Sequence, residues 1–223
     1  MMLRDDAIEA EPIVEATLNA LLAWAPTSGR TGADLRTAIG DTLAHVRELL
    51  QYDAIDQPLI RCFNLAYSTG INVNQIETVR RVAAAQSATL VGAIMTKDTL
   101  IQLALATEGY VISTMAFTSR EDVDAIKIAI NAAFEDMEEE IADQMDAMTW
   151  RAVLKLHAAI TMHLVETARP LPQMLAYRFN MVMPSVVLAH RLYADAGRAD
   201  ELRDENKIVH PAFCLREGRA LSI

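Results

Sequence analysis

The amino-acid sequence predicts a mainly α-helical protein: a helical bundle over residues 1–168, then a small α+β module ordered strand, helix, helix, strand. Three observations carry that prediction. The chain is 52% hydrophobic but only 5% aromatic, so its apolar content is Ala, Val, Ile, Leu and Met, the residues of closely packed helices more than of a β-sandwich. Apolar positions recur at steps of three and four through the first 168 residues. Arg169-Pro170-Leu171-Pro172 then forbids a helix, and the pattern changes beyond it. At 223 residues the chain can bury a core without disulfide staples.

The first helix is expected to open around Glu9, where Glu11 and Pro12 suit a helix start. It carries Val14, Thr17, Leu18, Leu21, Leu22 and Ala25 on one face, and Pro26-Thr27-Ser28-Gly29 stops it. A second begins near Asp34 and keeps Leu35, Ile39, Leu43, Val46 and Leu50 on one stripe. Asp56 can cap a third, with Pro58 in its first turn and Thr69-Gly70 at its end. Asn72 or Asn74 can cap a long fourth with Ile76, Val79, Val82 and Ala83 inward, and a break is expected near Lys97-Asp98. Gly109 ends the next piece, and Tyr110-Val111-Ile112-Ser113-Thr114-Met115 reads equally as a strand or a short buried helix.

Ser119, followed by Glu121 and Asp122, is a good cap for a helix running to about Asp146, and Thr149 opens another running to about Thr167. Residues 169–183 are a Pro-containing linker and first strand, extended from Gln173 to Met183. Residues 184–223 complete the module. Pro184-Ser185 start a short helix, Gly197 separates it from another ending near Asn206, and Arg219 to Ile223 form the closing strand.

The formal net charge of -10 argues against a broad nucleic-acid surface, which draws its affinity from clustered Lys and Arg. Cys62 and Cys214 lie far apart with no CxxC or Cys/His spacing, so free thiols in a reducing compartment are expected, with no zinc site and no cofactor. No apolar stretch reaches membrane-span length, and Met1-Met2-Leu3-Arg4-Asp5-Asp6 runs into acids instead of a signal core; synthesis in the cytoplasm is expected.

The run Glu135-Asp136-Met137-Glu138-Glu139-Glu140, with Asp143 and Asp146 after it, is the densest charge in the chain. From Glu121 to Asp146 ten acids stand against Lys127 alone. No Glu-x-x-His pair accompanies them, so the reading is a solvated face that can dock a basic partner, and no metal is expected. His157 and His163 share a helix but project roughly 120 degrees apart. Asp41 and His45 are spaced for an ordinary helix-surface pair. Gly29-Arg30-Thr31-Gly32 lacks the strand and Lys of a phosphate loop, and no nucleophile elbow or dinucleotide fingerprint occurs, so no catalytic residue is assigned. Among the eleven methionines, those on helices (Met137, Met145, Met148, Met162) read as core fillers, and the extended Met181 and Met183 as contacts.

The stretch from Pro184 through Val186, Leu188, Ala189, His190, Arg191, Leu192, Tyr193, Asp195, Gly197, Arg198 and Leu202 to Asn206, Ile208 and His210-Pro211-Ala212-Phe213 closely resembles the C-terminus of the DNA circularisation (tail) protein of Mu-like phages and prophages. The same residues, with Gly218, Leu221 and Ile223, are similar to a LysM-like module, with Asn206 as a left-handed cap. Ala194 stands where the family commonly has Gly, and Cys214-Leu215 replace the more usual Val-Pro. The family's N-terminal domain has no counterpart here, so its association with DNA is not carried over.

The resemblance implies a non-enzymatic structural component of a contractile tail, at the tail tip or baseplate between tape measure and hub. The family is also linked to circularising injected DNA. It implies a virion protein made in the host bacterial cytoplasm, partnered by other tail or baseplate proteins and by copies of itself, with Tyr193, Asp195, Arg198, Asn206, His210, Pro211 and Phe213 as fold or contact residues. The alternative is a binding module for peptidoglycan or DNA ends. A cell-wall hydrolase comes third, with Glu166 its one nameable carboxylate.

Overall fold

The computed structural model describes residues 2–143, 147–214 and 216–222, with the side chains of 140–143 set aside. Expectations placed on Met145, Asp146, Leu215 and Ile223, and on the side chains of Glu140 and Asp143, lie outside the described residues. The protein is mainly α-helical, a multi-helix bundle with a small C-terminal α+β region. It divides into two compact units, Met1–Met115 with Asn131–Ile160, and Ala116–Ile130 with Thr161–Ile223. No described helix is long and apolar enough to cross a membrane.

In the first unit α1 (Arg4–Ala23) buries Ala7, Ala10, Ile13, Val14, Leu18 and Leu21 along one stripe. It starts a turn earlier than the sequence suggests, which leaves Pro12 inside the helix. Pro12 is on the exposed side, where the carbonyl it leaves unbonded can meet water, while burial of Ala7 and Ala10 holds the preceding turn. The expected second helix is two, α2 (Arg30–Ala44) and α3 (Val46–Gln51), broken at His45. The apolar stripe survives the break, with Leu35, Ile39, Val46 and Leu50 all buried.

Helix α4 (Asp56–Ser68) ends at Thr69-Gly70 as its sequence predicts. Asn72 caps α5 (Val73–Ala84) in a capping box with Gln75: the Asn72 side chain accepts from Gln75 N–H at 3.0 Å and the Gln75 side chain from Asn72 N–H at 2.9 Å.

The next segment corrects two expectations. Helix α5 stops at Ala84, and α6 (Val91–Thr114) runs unbroken through Lys97-Asp98 and Gly109, so 110–114 are helical. The break falls at 85–90 because α1 reaches across to satisfy the start of α6. Gly109 does not end the helix; a Cβ there would lie 2.8 Å from Ile160 Cδ1, so glycine makes room for a neighbouring helix. Helix α6 is apolar around most of its circumference, as a helix packed against α1, α4 and α5 must be.

Ser119 caps α7 (Arg120–Asp143) as expected. Asp122 N–H donates to Ser119 Oγ at 3.2 Å, and Ser119 N–H to Asp122 Oδ2 at 3.1 Å. Helix α8 spans Ala147–Ala168. Met137 is buried, but Met148 is 84% exposed and Met162 is exposed too, against their reading as core fillers. Methionine position on a helix is decided by what packs beside it, and both of these lie on the exposed side of α8.

The second unit contains β1 (Met174–Arg178) and β2 (Glu217–Leu221), antiparallel with Met174 opposite Leu221 and Arg178 opposite Glu217. Between them lie α9 (Ser185–Tyr193), a 3-10 turn at Ala196–Arg198, and α10 (Ala199–Glu205). The expected order of strand, helix, helix, strand is therefore present. Its core is Tyr177, Met183, Leu188, Ala189, Tyr193, Ala199, Leu202, Cys214 and Ala220. Met183, expected as a contact, is buried and bridges Cys214, whereas Met181 is exposed.

Candidate functional site

Most of the residues expected to serve the fold or contacts of the C-terminal module are used inside it. Tyr193 is only 8% exposed, and the Arg198 guanidinium lies 3.8 Å over its ring. Glu201 holds that guanidinium with two hydrogen bonds, at 3.0 and 2.6 Å. Asp195 accepts from Gly197 N–H at 2.8 Å, capping the 3-10 turn. Pro211 O accepts from Ser185 N–H at 2.7 Å, tying the start of α9 to the loop before β2.

Asn206 works as a side-chain substitute for a third strand. Its Oδ1 accepts from Arg219 N–H at 2.7 Å, and its Nδ2 donates to Arg219 O at 2.7 Å and Leu202 O at 2.9 Å. Gly218 beside it is required by space: an added Cβ would overlap Asn206 Oδ1 and lie 2.6 Å from the Tyr177 hydroxyl. Asn206 itself is not left-handed, at φ -96°; Lys207 takes that role at φ 52°. The amide is needed for the strand edge, and the turn falls to the next residue.

What remains outward is the loop of Val209, His210 and Phe213. Phe213 is 69% exposed and Val209 94%, with Val186 exposed on the first turn of α9. The His210 and Phe213 rings meet with centroids 5.2 Å apart. Two apolar groups and one polar ring make a small exposed surface.

The acidic run divides by environment. Glu135, Asp136 and Glu139 are exposed on α7. Glu138 is drawn to His157, Oε1 to Nδ1 at 2.7 Å. The other His157 nitrogen meets Asn131 Oδ1 at 3.0 Å, and its ring stacks on Phe134 with centroids 4.7 Å apart. His157 is thus a packing and hydrogen-bonding residue between α7 and α8. Among the described residues no group of three or more His, Cys, Asp or Glu is placed to hold a metal. His45 Nδ1 bonds the backbone carbonyl of Asp41 at 2.9 Å and not its carboxylate, so the pair is no acid-base dyad. Glu166 is exposed on α8.

Sequence reasoning passed over one cluster. Glu77 on α5 accepts from Arg80 at 2.6 and 2.9 Å and from Arg81 at 2.6 Å. Burial works against its charge, but these two arginines hold its carboxyl below the usual carboxylate range. Glu108 on α6 is 1% exposed, with no hydrogen-bond partner for Oε1 among the described residues. Burial, and then the nearby Glu77, push its carboxyl up to about 8, so it carries a proton at neutral pH. The signal was available: Ala104, Leu105, Val111 and Ile112 put position 108 on the buried face of α6. Cys62 and Cys214 are free and buried, and burial raises both thiols, which suits packing and not nucleophilic chemistry.

No protein-family model matches this sequence, and no curated protein matches it.

Proposed function

We propose that this chain is a structural component of a contractile phage tail or a prophage-derived one, at the tip or baseplate between tape measure and hub. In this reading the C-terminal unit is a LysM-like attachment knob, and the helical part packs against neighbouring tail proteins or further copies of itself. The resemblance of residues 184–213 to the Mu-like DNA circularisation proteins supports it. The observation that carries it is the internal use of Tyr193, Arg198, Asn206 and Pro211, which leaves an apolar Val209 and Phe213 loop facing out. Glycan or phosphate recognition needs free polar groups and stacking faces, whereas protein packing needs an exposed apolar rim.

Charge points the same way. Before residue 173 thirteen bases stand against twenty-four acids, and from 173 onward seven against six. Neither part carries the basic excess that a nucleic-acid surface draws on.

Electron microscopy of tails from a mutant lacking the gene tests the proposal. Incomplete or absent tails are expected, and normal, infectious tails would overturn it. Retention on cell-wall sacculi, or a salt-dependent shift of DNA ends, would replace the structural reading by a binding one.

A further inference from the structure

In the second unit the first turns of α7 and the last turns of α8 enclose an open groove of about 340 Å³, lined by Arg120, Val123, Asp124, Lys127, Leu164, Val165, Ala168 and Arg169. Its floor is apolar, with Val123 and Leu164 buried and Val165 exposed. Its rim is cationic, three bases to one acid, in a chain whose net charge is -10. Arg120 is fixed in place, donating to Leu171 O at 2.8 Å and Arg169 O at 3.2 Å. Among the described residues neither Lys127 nor Arg169 has a carboxylate within ion-pair distance, so two cations without a direct ion pair border the apolar floor, and Asp124 is the one acid of the lining.

We propose that this groove receives the acidic segment of α7, Glu135, Asp136 and Glu139, from a second copy of the chain. The inference deepens the assembly role proposed above and rests on it. Charge complementarity selects this occupant: the three acids are exposed, follow helical spacing along one face, and none is in a direct ion pair among the described residues. Glu138, the acid between them, is already taken by His157. Met137 and Ala133 are buried beneath the segment, so it is presented on a fixed helix and needs little ordering on binding. Because groove and segment are different surfaces, their pairing is heterologous, which generates rings or helical stacks, the arrangements from which a tail is built.

Sedimentation and light scattering of the full chain test this. The wild-type protein is expected to associate at about 50 mM salt and to lose about tenfold or more of its association constant at about 500 mM, because the contacts are screened. The double variant Lys127→Glu, Arg169→Glu and the triple variant Glu135→Lys, Asp136→Lys, Glu139→Lys should each be monomeric, with circular dichroism of the folded protein. Mixing the two restores both contacts with matched charges, and association should return. A wild-type chain that is monomeric at low salt, association that survives either reversal, or a mixture that stays monomeric would each overturn the groove contact. If tails from the deletion mutant are defective all the same, the structural role stands and only this contact falls.

Discussion

Glu9 of α1 holds the backbone of Thr89 and Leu90, the two residues that lead into α6. Its carboxylate accepts from Thr89 N–H at 2.9 Å, Thr89 Oγ1 at 2.7 Å and Leu90 N–H at 2.8 Å, and Asp6 adds a bond to Gly92 N–H at 3.2 Å. The N–H groups of the two residues that lead into α6, and that of Gly92 in its first turn, which no residue of that helix can satisfy, are thereby paired by two acids of α1. The same contact orients α1 on α6 and sets the end of the α5–α6 connection.

That pairing makes stability depend on acid. The Thr89 hydroxyl first, and the Leu90 amide next, hold the Glu9 carboxyl below its ordinary value of 4.5. A carboxylate depressed in the folded state contributes stability above its unfolded pKa and loses it as pH falls through the folded value. Glu9→Ala should therefore lower the urea midpoint at pH 7, and the gap to wild type should close on acidification. A gap of constant size from pH 7 to pH 3 would show that the contact adds nothing through its charge.

Glu108 has the opposite sign. Its folded pKa is raised to about 8, so the stability present below 4.5 is lost as pH rises and the unfolded chain sheds the proton first. Glu108→Gln keeps the shape and cannot ionise. It should match wild type near pH 4.5 and gain on it by up to a few kcal/mol by pH 8 to 9, beyond which the gain levels off. Equal pH profiles for the two proteins in urea unfolding would contradict a buried neutral acid.

Ala194 ends α9 at φ 56°, in the left-handed region, where a Cβ crowds the following carbonyl. Ala194→Gly removes that cost and should raise stability by about 1 kcal/mol, less the extra freedom of glycine in the unfolded chain. Thermal unfolding reads the gain, and a lower Tm would refute it.

Two glycines of α2 should respond in opposite directions to alanine. At Gly32 a Cβ would stand 2.5 Å from the backbone carbonyl of Pro26, which is also held by Arg36. At Gly40 it would meet nothing within 4 Å. Gly32→Ala is expected to cost about 1–3 kcal/mol through overpacking, and Gly40→Ala to gain about 0.5–1 kcal/mol from helix propensity. Denaturant titration of the pair settles the matter, and a Gly32→Ala protein as stable as wild type would mean that the Pro26 turn yields freely.

Phe213 tests the attachment surface. Its ring lies mostly in solvent, so Phe213→Asp should alter stability by no more than about 0.5 kcal/mol, and under the proposed tail role it should remove the protein from assembled tails. Tails that incorporate the variant normally, probed by immunoblot, would move the contact elsewhere.

The order of elements in the C-terminal unit was legible because its punctuation is local, while strand bounds and the left-handed position were not. Pro184 opens α9, Gly197 sits in the turn, and Gly218 faces Tyr177 across the strand pair. Whether Tyr193, Asp195, Arg198 and Asn206 serve the fold or a contact was less legible, since in sequence they look alike to surface polar groups. Their consumption by Glu201, Gly197 and Arg219 depends on a fold that brings position 206 beside 219. In the first unit the helix stripes read correctly even where boundaries did not. His45 breaks a helix without breaking its apolar face, because the break preserves which side meets α1.

By itself the sequence determined the helical class, the capping of α7 by Ser119, the choice of Asn72 or Asn74 as the cap of α5, and the order of strands and helices after Pro172. These are consequences of periodicity and of backbone preferences that act within a few residues. Only the tertiary structure decided that α6 starts at Val91, that Gly109 packs instead of terminating, that Glu108 keeps its proton, and that Lys127 and Arg169 border an apolar groove. Each of these is settled by atoms brought from elsewhere in the chain, Glu9, Ile160, Glu77 and Leu164 among them, and both dielectric surroundings and steric room are properties of the packed neighbourhood.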